Sequence, residues 1–205
     1  DLGATERLNE LASEVQFVEE AVGKDEEQMK VYITNSLKLD ILPDRLLHNL
    51  ARLHSVRFAN SCQAIKKIGH GFLFGCPSLR EMFGVFNLTS ITHIGSFFCS
   101  GCANLETLHL EHLKAVTCIE NGFLAGCTSL KNFNCFTAAP GCKIGDFFLM
   151  NCSRLCEVRP TSSLAEVVEI GKGFLVECNQ MPVVNLRPLV KVHTVGTSLL
   201  KGCAL

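Results

Sequence analysis

The chain has 205 residues, 47% hydrophobic and 19% charged, with a net charge of -1. That balance excludes a disordered tail and a general nucleic-acid binder, which carries a marked basic excess. No run approaches the roughly 18–20 continuous apolar residues of a membrane span, and the N-terminus lacks the basic-then-apolar order of a secretion signal.

Charge is unevenly placed. Residues 1–30 hold nine acidic and three basic side chains, a net of -6, whereas the remainder holds sixteen basic and eleven acidic, a net of +5. An N-terminal piece is thereby set apart from the rest. Within it, Leu8, Leu11, Val15, Val18 and Val22 recur at steps of 3, 4, 3 and 4, the stripe of an amphipathic helix over residues 5–22. Thr5 suits its N-cap and Gly23 its C-terminal stop. Phe17 projects opposite the stripe, which leaves a partner-binding use of the helix open beside the capping use. "MKVYI" at 29–33 then alternates like a strand.

From residue 42 onward one unit returns. "IGHGFLFGC" at 68–76 is followed by "IGSFFCSGC" at 94–102, "IENGFLAGC" at 119–127, "IGDFFLMNC" at 144–152, "IGKGFLVEC" at 170–178 and "VGTSLLKGC" at 195–203. A divergent earlier copy, "LPDRLLHNL" at 42–50, puts Leu50 in the cysteine slot. The spacings are 26, 26, 25, 25, 26 and 25, and seven copies at so narrow a period make the chain a solenoid. Three residues past the cysteine slot stands an apolar anchor: Leu53, Leu79, Leu105, Leu130, Leu155 or Met181. A period-two stretch such as "LHSVRF" (53–58) or "LETLHL" (105–110) follows and predicts a short strand. The compact run "GFLFGC" predicts one or two helical turns on the outer wall.

These motifs resemble the BspA-type leucine-rich repeats, with wording closer to the protozoan variants, although the 25–26-residue period exceeds the common unit. The resemblance covers residues 42–205. The expected architecture is an α/β solenoid: a capping helix and degenerate first rung over 1–41, then seven leucine-rich-repeat units over 42–205. The last unit stops at "KGCAL", before its strand, so the natural protein is expected to continue.

Six of the twelve cysteines, Cys76, Cys102, Cys127, Cys152, Cys178 and Cys203, share one repeat position. Stacking sets them in an inward ladder of free thiols, each a small buried hydrophobe. Zinc wants four converging ligands, and no Cys-x-x-Cys pairs with a second, so neither a metal nor a cofactor is expected. A reduced ladder fits the cytoplasm better than the cell surface or the outside. His109 and His112 form the one histidine cluster. His70 differs in every copy, which reads as a solvent-facing position. The sequons at Asn87 and Asn151 are near the number chance provides.

No catalytic motif is present and no enzyme is expected. Solenoids commonly bind partners across their strand surface, and the alternation assigns its outward columns. One holds Ser55, Glu81, Thr107, Asn132, Glu157 and Val183; the other holds Arg57, Phe83, His109, Asn134, Arg159 and Asn185. Arg57, Phe83, His109 and Arg159 are the best anchors by type. The function expected is a non-catalytic protein-interaction module using these concave strands. A surface adhesin is the alternative that the resemblance implies, and a thiol-based redox- or zinc-responsive regulator is the alternative of another class. The partner is a protein, not a nucleic acid.

Overall fold

The structure is a computed structural model and describes residues 17–19, 28–35, 38–159, 161–182 and 185–203. Each 25–26-residue unit makes one turn of a β-solenoid of about six turns, closed by hydrogen bonds between successive rungs. The predicted strands form where alternation placed them. Leu53–Phe58, Glu81–Phe83, Thr107–His109, Asn132–Asn134 and Glu157–Arg159 stack in register, with Ser55 beside Glu81 and Asn132 between Thr107 and Glu157. This first wall has one break. Met29–Ile33, Leu53–Phe58 and Glu81–Phe83 belong to one sheet and the later three strands to another.

A second wall escaped the sequence reading. Short parallel strands just ahead of each motif, from Ile41–Leu42 through Lys67–Ile68, His93–Ile94, Val116–Ile119, Ala138–Ile144 and Val167–Ile170 to Thr194–Val195, form a seven-stranded sheet. Its inward column is Leu42, Ile68, Ile94, Ile119, Ile144 and Ile170, all buried. Strands of two to four residues suffice for most rungs because both neighbours supply their backbone partners.

The outer turns are not helical. The described residues contain three short 3-10 segments, Asn60–Ala64, Val85–Asn87 and Thr161–Leu164, and no α-helix, so the α half of the expected α/β class is replaced by a third hydrogen-bonded wall. In "IENGFLAGC" the φ angles of Gly122, Leu124 and Gly126 are 72°, 55° and 76°. Alternate left-handed residues break the run of like dihedrals that a helix requires. They also turn successive amides outward to opposite neighbours. Gly122 N–H donates forward to Asp146 O, Leu124 N–H back to Phe98 O, and Gly126 N–H forward to Met150 O, at 2.7, 2.9 and 2.7 Å. The same alternation recurs at 71, 73 and 75, at 147, 149 and 151, and at 173, 175 and 177.

The capping helix also fails where it can be judged. Phe17–Glu19 is a strand, paired antiparallel to Met29–Ile33 with Phe17 opposite Ile33. A sheet edge here gains backbone partners that an isolated helix would not supply. The rest of residues 5–22 lies outside the described residues.

Between the walls, Phe72, Phe98, Phe123, Phe148 and Phe174 stack along the array. Neighbouring ring centroids are 5.1–5.8 Å apart, and the last three steps lie within 9° of parallel. Each ring packs on an identical ring one rung away, so a repeat that buries little alone gains its core from its neighbours.

Candidate binding surface

On the first wall, the inward positions Val56, Leu108 and Phe133 are buried, and Met82 and Val158 pack against the core. The alternate positions turn outward. Arg57, Glu81, Phe83, Thr107, His109, Asn132, Arg159 and Asn185 are exposed, whereas Asn134 and Glu157 are half-buried. Ser55 departs from its column and is buried; Val183 lies outside the described residues. In-register stacking brings several of these side chains together. The Arg57 guanidinium sits 4.9 Å from the Phe83 ring centroid and 5.7 Å from that of Tyr32. The Asn134 amide nitrogen donates to His109 Nδ1 at 2.7 Å, and Arg159 pairs with Glu157 in its own strand. The break after Phe83 leaves Glu81 and Phe83 outside the ladder that carries Thr107 and His109.

Clefts open at two places on this face. One of about 240 Å³ is lined by Lys30, Tyr32, His54, Arg57, Glu81 and Phe83. The other, about 410 Å³, is bordered by Glu157, Arg159 and Asn185 and reaches the core rings of Phe148 and Phe174. Phe83, at 38% exposure, and Phe86, at 57%, are large apolar groups left to solvent. Phe86 meets His112 edge-on at 6.2 Å, and His109 and His112 both approach Glu111 Oε1, at 3.7 and 4.0 Å. Asn87, by contrast, is buried and donates to Phe58 O at 3.0 Å, a position closed to glycosylation in the folded chain.

Five thiols of the ladder are buried as expected and the sixth, Cys203, is half-buried; each does more than fill space. Cys76, Cys102, Cys127, Cys152, Cys178 and Cys203 each donate S–H to a carbonyl of the preceding rung, that of Leu47, Leu73, Cys99, Leu124, Leu149 or Leu175, at 3.0–3.2 Å. The acceptor is always the central left-handed residue of the outer turn. A cysteine therefore combines small apolar volume with one donor where a turn carbonyl needs a partner. Burial raises the Cys76, Cys142 and Cys178 thiols to about 12 and pushes Cys99, Cys127 and Cys152 well above the ordinary range. Such groups stay protonated at neutral pH and are poor nucleophiles. Among the described residues no three His, Cys, Asp or Glu side chains are placed to hold a metal. Titration of the native protein with a disulfide reagent is expected to count exposed Cys156 promptly and half-buried Cys118 and Cys203 slowly. The nine buried thiols should appear only in denaturant. Several fast thiols beyond Cys156 would argue for redox chemistry instead.

The second wall carries a polar cluster that sequence reasoning missed. Glu120 occupies a slot that is glycine at 69, 95, 145, 171 and 196. Its carboxylate accepts from Ser96 Oγ at 2.7 Å and lies 2.8 Å from His93 Nε2 and 3.0 Å from His70 Nδ1. Partial burial pushes the Glu120 carboxyl up, but the hydrogen bonds from Ser96 and His93 and the two nearby imidazoles outweigh it and hold the pKa below its ordinary value. His70 is not merely solvated. The slot it occupies feeds a ladder in which Asp44 accepts from His70 N–H, Asn121 from Asp146 N–H and Asp146 from Lys172 N–H, each at 2.8 Å.

The family model described as "BspA type Leucine rich repeat region (6 copies)" matches residues 41–182 and 92–205. The chain belongs to this family. Repeat families of this type are generally non-catalytic, which makes the BspA-type chain a candidate protein-interaction module. The T. pallidum leucine rich repeat protein (TpLRR) matches at 16% identity over 95% of this chain and 98% of its own, with a TM-score of 0.52, a likeness of fold alone. A leucine rich cell surface protein from Faecalibacterium prausnitzii matches at 20% identity over 70% of this chain and 37% of its own, with a TM-score of 0.46. A leucine-rich repeat protein from Eubacterium ventriosum matches at 12% identity over 80% of this chain and 58% of its own, with a TM-score of 0.48. Curated proteins offer no match. No helix among the described residues is long and apolar enough to cross a membrane.

Proposed function

We propose that this BspA-type array is a non-catalytic module that docks a protein partner on the outer face of the first wall, the concave strands of the sequence reading. The contacting residues are Arg57, Glu81, Phe83, Thr107, His109, Asn132, Asn134, Glu157, Arg159 and Asn185. One observation carries the reading: among the described residues this face sets the exposed Arg57 and Phe83 together in one cleft and exposed Arg159 at the border of a second. Aromatic and arginine groups dominate interface energetics, and a few of them supply most of the binding energy. A ladder of free thiols suits a reducing compartment, and the proposed site of action is the cytoplasm.

The double change Arg57→Glu with Arg159→Glu is expected to weaken capture of the partner by about 100-fold, since each lost anchor costs about 1–2 kcal/mol or more. Both side chains are exposed, so the melting temperature should hold within about 2 °C. Lys143→Glu on the second wall is the control. A partner kept by the double variant and lost by the control would move the site to the second wall.

A further inference from the structure

The geometry points to an acidic peptide segment as the occupant of the Arg57 cleft, with a Glu or Asp carboxylate received by the Arg57 guanidinium; this rests on the docking face proposed above. Tyr32, Arg57 and Phe83 are in register on three adjacent strands, so the rings flank the guanidinium from the strand on either side. Arginine stacks on aromatic faces while its N–H edge stays free to donate. Among the described residues the Arg57 side chain makes no ion pair and no hydrogen bond, in contrast to that of Arg159, which Glu157 holds. Glu81 lines the same cleft yet does not pair with it.

The charge of the cleft follows from its lining. Among the described lining residues Lys30 and Arg57 supply two cations against the single carboxylate of Glu81, a formal net of +1. Among the described residues the outward column through this point, Tyr32, Arg57, Phe83, His109 and Asn134, contains no acid. A carboxylate entering here meets a planar fork flanked by two rings, so it can form paired charge-assisted hydrogen bonds at a smaller loss of side-chain freedom than a fork with no such neighbours. Beside it, the exposed Phe83 ring offers apolar surface for an aliphatic neighbour of the acidic residue. An extended peptide fits this combination better than a free anion, because the cleft offers apolar as well as charged side chains.

The test uses the whole chain with a capped octapeptide of alternating Glu and Leu, and its counterpart with Gln for Glu, followed by backbone-amide shifts in NMR titrations. The Glu peptide is expected to bind about tenfold tighter than the Gln peptide at low salt, with the preference falling at high ionic strength. Arg57→Ala should abolish the preference. Arg57→Lys should keep only part of it, since lysine lacks the fork. Equal binding of both peptides with shifts on the first wall overturns the acidic assignment and leaves the docking face standing. Shifts confined to the second wall or the outer turns sink both. Failure of the Glu peptide to bind at millimolar concentration, or an Arg57→Ala variant of unchanged melting temperature that keeps the preference, also refutes the proposal.

Discussion

Phe123→Ala is expected to lower the stability of the array by about 3–5 kcal/mol, in the upper range for truncated core aromatics. Phe123 is fully buried and is the ring with the most ring partners in the stack. Phe98 lies 5.3 Å away on one side and Phe148 5.1 Å on the other, nearly parallel, and Phe133 and Phe136 approach at 5.8 and 6.4 Å. The void cannot collapse, because the rung is pinned on both sides by backbone bonds. Glu120 N–H and Leu124 N–H reach back to Ile94 O and Phe98 O, and Gly122 N–H and Gly126 N–H reach forward. A central rung also weakens two interfaces at once, which in a one-dimensional array threatens to divide the folding unit. Phe174→Ala removes a ring that stacks on Phe148 alone and should cost about 2–3 kcal/mol. Phe123→Leu should cost about 1–2 kcal/mol, since Leu46 and Leu199 hold the same slot at the ends. Urea unfolding checks the order. A Phe123→Ala loss below that of Phe174→Ala would refute the stack as the core of the array, and a second transition would show that the array has split.

The period, the strand alternation and the thiol ladder were legible because each is a repeated demand for a residue type. Cys76 and its five equivalents must be small, apolar and a donor, and few other residues meet all three needs. The outer turn was misread because Phe72 and Leu73 are adjacent and apolar, which in a short window looks the same in a helix and in an alternating left- and right-handed ribbon. The discriminating signal was glycine spacing. Gly71 with Gly75, and Gly122 with Gly126, sit at the two flanking left-handed positions, where a missing Cβ removes the steric cost. His70 is solvent-facing as expected, but the backbone bonds made from its slot were hidden for a different reason. Asp44, His70, Asn121 and Asp146 differ in identity but share the ability to accept a backbone N–H, and variation among acceptors mimics indifference. Glu120 could have been found as the exception in a glycine slot. Its partners His93 and Ser96, 27 and 24 residues away, become neighbours only through the stacking register.

That glycine slot supplies the second large effect. Gly145→Ala is expected to destabilise the array by about 3 kcal/mol, through crowding. The φ angle of Gly145 is not positive, so conformation alone would admit alanine. Space would not: a Cβ there meets Asn121 Oδ1 at 2.6 Å, Glu120 C at 2.8 Å and Asn121 N at 2.9 Å, two of them backbone atoms of the preceding rung. Relief would require the rungs to part, yet Gly145 N–H donates to Ile119 O and Gly171 N–H to Ile144 O, both at 2.8 Å. The copy that carries Glu120 gains contacts to Ser96, His93 and His70; alanine has none to offer. Gly126→Ala is the comparison that isolates the cause. Its φ is 76°, but a Cβ there finds nothing nearer than 3.7 Å, so it pays only for the left-handed conformation, about 1–2 kcal/mol. Thermal unfolding should therefore rank Gly145→Ala well below Gly126→Ala in melting temperature, by several degrees at about 2–4 °C per kcal/mol. The reverse order would mean that backbone conformation, not the close approach of rungs, keeps this slot glycine.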